Sequence, residues 1–351
     1  MRIRLLYGAT FSEDWGRSQN LARALAGLGH DIDYIDCIRP LGTSSKRPVH
    51  PHPGINWFRS APGLSDRPGL ASLNAILQAA WLTPILREPV DLTIFYGIPH
   101  PFVQRVAIRL SKGSRISYDC ADDKYSTFLD LIGPKAASRV REWERLLVGQ
   151  VDSLTAINDS NLLRLDPERK LSGGVVPNGV DSDLFRFRRR VVPANRRLRL
   201  AYAGTVNDRL DTPRLRQILE VNPGVELHIF GGDHEALDCL RGHPRLFIRG
   251  RIPYRSLPQV LDSCDIGLVP YRDLPSIRAS SPLKSLQYLA LGMPVLAFEY
   301  PGLPTFDGSV RILEGTTIPV QARGWVVEDD HLAKTHSWTE SARSLLRQVA
   351  P

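Results

Sequence analysis

The sequence predicts an α/β protein made of two doubly wound parallel-sheet domains joined near residue 190. Three observations carry this expectation. Strand-like and helix-like segments alternate through the first half, the alternation breaks at an arginine-rich stretch, and it then starts afresh. The chain of 351 residues has room for about two domains of ordinary size, each with its own core.

In the first half, "RIRLLYGA" is apolar enough for a buried strand. "SQNLARALAGLG" repeats apolar residues at helical spacing until Gly29 stops it, and "HDIDYID" alternates as a second strand. Strand, helix and strand at that spacing form one right-handed crossover unit. From Pro40 to Gly69 the pattern breaks in "KRPVHPHPGINWFRSAPG", expected to be a long loop of a kind usually functional or mobile. The alternation resumes with "LASLNAILQAAWL", "VDLTIFYGI", "FVQRVAIRLSK", "RISYDC", "AASRVREWERLLVGQV" and "SLTAI". After "GGVVPNGVDSDLF" and the arginines, the second series runs "LRLAYAGT", "PRLRQILEV", "VELHIFGG", "LFIRGRI", "LPQVLDSC", "IGLVPY", a helix from about residue 282, and "PVLAFEY". Ligands of such folds bind at the carboxyl ends of the strands, so the expected site is a cleft between the domains.

Composition narrows the classes. No segment offers the roughly 18 uninterrupted apolar residues of a membrane helix, and "MRIRLLYGATFSEDW" reads as a strand and not as a signal peptide, so a cytoplasmic protein is expected. Cys37, Cys120, Cys239 and Cys264 lack C-x-x-C spacing, which argues against a disulfide framework or a structural zinc site. The net charge of +8 suits nucleic acid, an anionic membrane surface or phosphorylated small molecules. Its densest run, "RFRRRVVPANRRLR", has seven arginines in 14 positions and reads as a solvated linker or as a face toward a membrane or cleft. Recognisable nucleic-acid motifs are absent, so no nucleic-acid partner is expected.

Several strand ends carry unusual chemistry. Gly204 and Thr205 follow "LRLAYA" directly, where a glycine lets backbone amides approach phosphate oxygens. Arg209 either supplies charge to a diphosphate or is a surface arginine. In "ASSPLKSLQYLALG", Ser280 and Ser281 suit N-caps and Pro282 the first turn. Lys284 is a poor partner for the positive end of that helix dipole unless an anion is bound there; the other reading is a lysine pointing to solvent. Gln287, one turn on, can hydrogen-bond ligand hydroxyls. In "YDCADDKYSTF", the carboxylates of Asp119, Asp122 and Asp123 either cap the next helix or orient and deprotonate an attacking hydroxyl through Asp119 or Asp122. His100 ends a strand as a capping residue or a cleft residue, and Gly8 or Arg17 in the first loop can touch an acceptor.

The segments "SPLKSLQYLALGMPVLA", "VVPNGVDSDLF", "IRGRIPYRSLPQVLDSCDIGLVPY" and "HSWTESARSLLRQV" resemble the GT-B glycosyltransferases of retaining family 4, glycosyl transferases group 1, over essentially the whole chain. Pro282, Lys284, Tyr288, Leu289, Ala290, Gly292, Pro294 and Val295 fit its P-x-K-x-x-E-Y-L-A-x-G-x-P-V motif. The resemblance implies two Rossmann-like domains facing across a cleft. An acceptor domain at 1–185 and a linker at 186–199 would precede a nucleotide-sugar domain at 200–335, with a final helix at 336–351 packing back on the first domain. It implies a hexosyltransferase of EC 2.4 acting in glycan, polysaccharide or glycoconjugate biosynthesis, with no bound cofactor and no metal. The donor would be a UDP-sugar, or a GDP- or dTDP-sugar. The acceptor would be a saccharide, lipid-linked or small-molecule hydroxyl, with peripheral contact to an anionic membrane.

On this resemblance Ser281 and Lys284 face the donor diphosphate, and Ile252 and Pro253 of "RGRIPY" wall the base. Pro270 and Tyr271 face the donor, while Asp122 and Asp123 lie with the acceptor. The chain departs where the family carries two spaced glutamates: Gln287 replaces the ribose-binding one and Ala279 the other. An amide lacks the charge-assisted strength of a carboxylate. Transfer with retention needs no enzyme nucleophile, though the acids at 118–123 would also serve an inverting enzyme. A nucleotide-sugar epimerase or a phosphorylase shares the architecture. A non-catalytic binding homologue is the alternative that the two departures raise.

Overall fold

The computed structural model describes residues 1–8, 11, 15–36, 52–59, 70–190, 192, 195–306 and 308–350. The chain divides into two compact units, Met1–Pro177 with Trp338–Pro351, and Asn178–Ser337.

The first unit contains β1 (Arg2–Gly8), α1 (Arg17–Gly27), β2 (Asp31–Asp36), β3 (Ile55–Phe58), α2 (Ala71–Leu86), β4 (Leu92–Phe95) and α3 (Pro101–Leu110). It continues through β5 (Arg115–Cys120), α4 (Lys124–Leu131), α5 (Pro134–Val148), β6 (Ser153–Ala156), α6 (Asp159–Leu165) and β7 (Ser172–Val175). Its seven-stranded sheet runs β3-β2-β1-β4-β5-β6-β7, with every pairing parallel. A parallel sheet covered on both faces needs strands apolar on both sides, which is why β4 and β6 are buried along their whole length.

One exception is instructive. Arg4, in the middle of β1, is fully buried. Its guanidinium donates to the carbonyls of Ile85 at 2.9 Å and Glu88 at 2.7 Å, in the last turn of α2 and just beyond it, where a cation suits the helix C-terminus. Burial holds this guanidinium below its ordinary pKa, against the raising influence of Asp33.

The second unit contains β8 (Leu198–Ala203), α7 (Thr212–Val221), β9 (Val225–Phe230), β10 (Leu246–Ile248), α8 (Leu257–Leu261), β11 (Ile266–Val269) and α9 (Pro275–Arg278). It ends with α10 (Leu283–Ala290), β12 (Val295–Ala297), β13 (Val310–Ile312) and α11 (His331–Thr335). The order β10-β9-β8-β11-β12-β13, all parallel, reverses direction between β8 and β11. That reversal opens a crevice at the carboxyl ends of these two strands, the usual binding place in a doubly wound sheet. The last helix, α12 (Trp338–Val349), belongs to the first unit and packs on α1 with Trp338, Ala342, Leu345 and Val349 buried.

Three differences from the sequence reading have clear causes. The unit boundary falls at Pro177/Asn178, before the expected 185/186, because the segment after it is sewn onto the second unit. All seven arginines of 186–199 have partners, so this stretch is no free linker. Arg190, for example, donates to the carbonyls of Leu261, Cys264 and Leu291 and pairs with Asp262. Finally, β3 lies inside the expected loop at 40–69, whose residues 40–51 and 60–69, like Cys37, fall outside the described ones.

Packing links the core of the second unit to its strand ends. A Cβ on Gly267 of β11 would come within 2.1 Å of the Tyr288 ring, so the glycine makes the space this tyrosine occupies. The Tyr288 hydroxyl in turn accepts a hydrogen bond from the amide of Ala203, the last residue of β8, at 2.8 Å. Gly267→Ala is expected to lower stability by about 1–3 kcal/mol, the usual effect of overpacking. It should also shift the backbone amide resonances of Ala203 and Gly204; an urea titration and an NMR amide map check both.

Candidate functional site

In the second unit, the chain leaves β8 through Gly204, whose φ is +155°. A side chain there would stand 3.2 Å from Lys284 Cε, so the glycine gives the lysine its place. Lys284 is the second residue of α10 and half-buried. Its Nζ lies 5.1 Å from the centroid of the Tyr202 ring and 4.7 Å from that of Tyr271, and it donates to the Tyr271 hydroxyl. Two aromatic faces thus hold the ammonium by cation–π attraction. Tyr202 is fixed by a 2.6 Å bond from its hydroxyl to the Thr205 carbonyl, and burial, then Tyr271, push its phenol well above the ordinary value, so it stays neutral.

A short backbone bridge ties the two crevice loops together. The amide of Arg272 donates to the Arg209 carbonyl at 2.8 Å, and that of Asp211 to the Pro270 carbonyl at 2.9 Å. Arg209 is thereby set beside Tyr202, and its Nε and Nη2 are buried with no hydrogen-bond partner among the described residues. Unpaired buried donors on a cation are costly, so these two favour an anion beside them. Gly204, Thr205, Arg209, Tyr271 and Lys284 therefore come together around the β8/β11 reversal.

The start of α10 differs from expectation. Pro282 is the N-cap residue and no side chain caps the helix, because Ser280 Oγ donates back to the Ile277 carbonyl at 2.8 Å, at the end of α9. Ser281 contributes through its backbone, its carbonyl accepting from Asn178 Nδ2 at 2.9 Å. Free amides at an uncapped helix start favour an anion. Gln287 is half-buried one turn beyond Lys284, and Ala279 is buried. Ile252 and Pro253 follow the edge strand β10, with neighbouring Arg251 beside Gly232 at the end of β9.

In the first unit, the structure corrects two assignments. Arg17 and Asp119 do not offer themselves to an acceptor; they bind each other. Arg17 Nε meets Asp119 Oδ2 at 2.8 Å and Nη2 meets Oδ1 at 2.9 Å, both side chains being almost wholly buried. Asp119 also accepts from Thr155 Oγ1 at 2.8 Å, while Arg17 donates to the Val176 carbonyl at 2.9 Å. Burial works against the Arg17 charge, but Asp119 outweighs it and raises the guanidinium above its ordinary value. The pair fastens the ends of β5 and β6 to α1 and to the chain after β7.

Asp123 is the N-cap of α4, accepting from the amide of Ser126 at 3.3 Å and its hydroxyl at 2.6 Å, with Arg164 3.5 Å away. Asp122 is the exposed acid of the group, its side chain 47% accessible and paired with Lys124 at 3.2 Å. His100 caps α3 by accepting from the Phe102 amide at 3.2 Å; burial, then Arg105, push its imidazole below the ordinary value, in keeping with a neutral acceptor nitrogen. Gly8 closes β1 opposite Asp36, across a register shift.

Sequence reasoning passed over Tyr202 and Asn178, which position Lys284 and Ser281, and the triad of buried Tyr118 and Glu144 with half-buried Arg164. In that triad Glu144 accepts from the Tyr118 hydroxyl at 2.8 Å and from Arg164 Nη1 at 2.7 Å. Burial, then Glu144, push the adjacent Cys120 thiol up to about 12. A tyrosine in "LRLAYAGT" directly before the glycine was the available signal for Tyr202; nothing in the sequence marks the triad.

Residues 210–334 match the family of glycosyl transferases group 1. The matched segment covers about a third of the chain and lies within the second unit. The match takes in the crevice loop from Leu210, Tyr271 and all of α10. The chain is 25% identical over 239 residues to the putative teichuronic acid biosynthesis glycosyltransferase TuaH of Bacillus subtilis (strain 168). That match takes in 63% of this chain and 58% of TuaH, so it spans little over half of the relative's length. Among solved structures, sucrose-phosphate synthase of Thermosynechococcus elongatus aligns with a TM-score of 0.67 at 14% identity, over 98% of this chain and 94% of the other. Anabaena Alr3699/HepE in complex with UDP and glucose aligns with a TM-score of 0.58 at 13% identity, over 100% and 96%. Identities this low speak for the fold alone, and that fold is GT-B: two Rossmann-like α/β domains. The group 1 motif of this chain thus sits on a GT-B second domain, at its switch point.

Proposed function

We propose that this group 1 chain transfers a sugar from a nucleoside-diphosphate donor to a hydroxyl acceptor, with retention at the anomeric carbon. The observation that carries the proposal is the meeting of Lys284, the Arg209 guanidinium, the Gly204 turn and the uncapped start of α10 at one crevice. Each supplies positive charge or donors, and together they suit a diphosphate. HepE was solved in complex with UDP and glucose, and TuaH is described as a putative teichuronic acid biosynthesis glycosyltransferase, which favours a UDP-sugar and a polysaccharide or glycoconjugate product. A hexosyl group fits that setting, and a nucleotide-sugar donor fits a cytoplasmic enzyme.

In this reading the sugar–oxygen bond to the diphosphate breaks as the acceptor oxygen bonds to the anomeric carbon from the same face. The departing diphosphate oxygen takes the acceptor proton. Lys284 and Arg209 stabilise the charge that develops on the diphosphate, and cationic side chains fill the role a metal ion has elsewhere. Gln287 meets a ribose hydroxyl, and Ile252 and Pro253 flank the base. The acceptor, whether saccharide, lipid-linked or a small molecule, binds the first unit near Gly8, His100 and Asp122. Asp122 is the exposed carboxylate available to orient its hydroxyl.

Titration calorimetry with UDP, GDP, dTDP and ADP tests the donor site. One nucleotide is expected to bind at micromolar concentration, UDP first. If none binds at millimolar concentration, the transferase reading fails. The alternative, a non-catalytic homologue serving as a binding or partner subunit, then leads; Gln287 and Ala279, in place of the two family glutamates, are what favour it.

A further inference from the structure

Helix α2 is a surface helix without a charged residue among its 16 positions. Helices at a protein surface usually turn polar residues outward. Here the outer face is apolar as well as the inner one. Gln78 is buried, while Leu73, Ile76 and Leu77 are 44%, 52% and 50% accessible, at the spacing of one helical face. Ala80 and Pro84 extend that exposed face toward the C-terminal end.

The neighbouring helix supplies charge of one sign. The crossovers through α2 and α3 advance in the same direction across the sheet, so right-handed connection puts both helices on one face. Their inner sides share a core, with Ala75, Ala79 and Leu82 of α2 beside Val103 and Ala107 of α3. Their outer sides therefore look the same way. On α3 and just after it, Phe102, Arg105, Arg109 and Lys112 are exposed in one stripe. Neither helix contains an acid, and the nearest one after α2, Glu88, is paired with Arg2 at 3.5 Å.

We propose that the outer face of α2, with the basic stripe of α3, seats the first unit on an anionic lipid bilayer. An apolar helix face flanked by cations buries its aliphatic side chains at the headgroup boundary while the cations meet lipid phosphates. No helix among the described residues is long and apolar enough to cross a membrane, so the contact is made by lying on the surface. The inference goes beyond the proposed transfer and does not depend on it, since none of these residues belongs to the candidate donor or acceptor site.

Flotation of the full chain with vesicles tests it. Vesicles of phosphatidylcholine with a third phosphatidylglycerol are expected to carry the protein, and pure phosphatidylcholine vesicles to carry far less. Leu73→Glu/Ile76→Glu/Leu77→Glu is expected to weaken binding by about a hundredfold or more, since three aliphatic chains lose their burial. Arg105→Glu/Arg109→Glu/Lys112→Glu is expected to weaken it by at least about a hundredfold, with each cation near the surface contributing about fivefold. All six positions are exposed, so both variants should keep the wild-type circular dichroism spectrum and thermal midpoint. Equal flotation with both vesicle types, no flotation of the wild type, or wild-type flotation by both variants would overturn the proposal. So would a dimer in sedimentation that the α2 variant abolishes while vesicle binding is absent, because a second copy would then be the occupant.

Discussion

Asp119→Ala lowers the stability of the first unit by about 3–5 kcal/mol, the usual consequence of removing one partner of a buried ion pair. The size follows from what is left behind. Arg17 would keep its carbonyl partners at Val176 and Pro177 but would face a void where two carboxylate oxygens had been. A domain stability of 5–15 kcal/mol makes this a large fraction of the total. Urea unfolding followed by tryptophan fluorescence measures it, helped by the several tryptophans of the first unit. Nucleotide affinity in the second unit, taken without denaturant, should stay unchanged. Full stability together with lost turnover would instead make Asp119 a catalytic base and refute the structural role.

Lys284→Ala weakens nucleoside-diphosphate binding by roughly 10- to 150-fold, the value of one charge-assisted hydrogen-bonding group at about 1.5–3 kcal/mol. Little stability should be lost with it. Lys284 forms no ion pair among the described residues, and its contacts are two tyrosine rings and one hydroxyl. Lys284→Arg should not restore affinity, because a planar guanidinium does not fit where a compact ammonium sits between two ring faces beside the Gly204 turn. Calorimetry on the three proteins decides the matter; wild-type affinity in the alanine variant would leave Lys284 a packing residue and Arg209 as the cation to examine.

These two expectations show how unevenly the sequence exposes its structure. Strand runs such as "VDLTIFYGI" and "IGLVPY" were legible because burial on both faces forces continuous apolar stretches. The crevice loop was legible because a glycine directly after a strand and a lysine at a helix start are both unusual for local reasons. The acids of "YDCADDKYSTF" were ambiguous for the opposite reason: a carboxylate that caps, one that pairs and one that faces water look alike until their partners are known. Arg17 lies 102 positions from Asp119, and no local pattern announces such a pair. Arg4 hides in the same way, its role defined by the end of a helix more than 80 residues on. The arginines of 186–199 misled through density, since side chains that look free in a sequence are held here by Asp262, Asp265, Glu226, Glu328 and backbone carbonyls.

The return of Trp338–Pro351 to the first unit makes the second unit an insertion within the first. During synthesis the second unit is contiguous and can close on its own as soon as residue 337 has emerged. The first unit has its whole sheet by residue 177, yet the surface of α1 meant for Trp338, Ala342, Leu345 and Val349 must wait while 160 further residues are made. The order in which the two units mature is therefore the reverse of the order in which they begin, and the uncovered side of α1 is the part of the nascent chain most in need of protection from other chains.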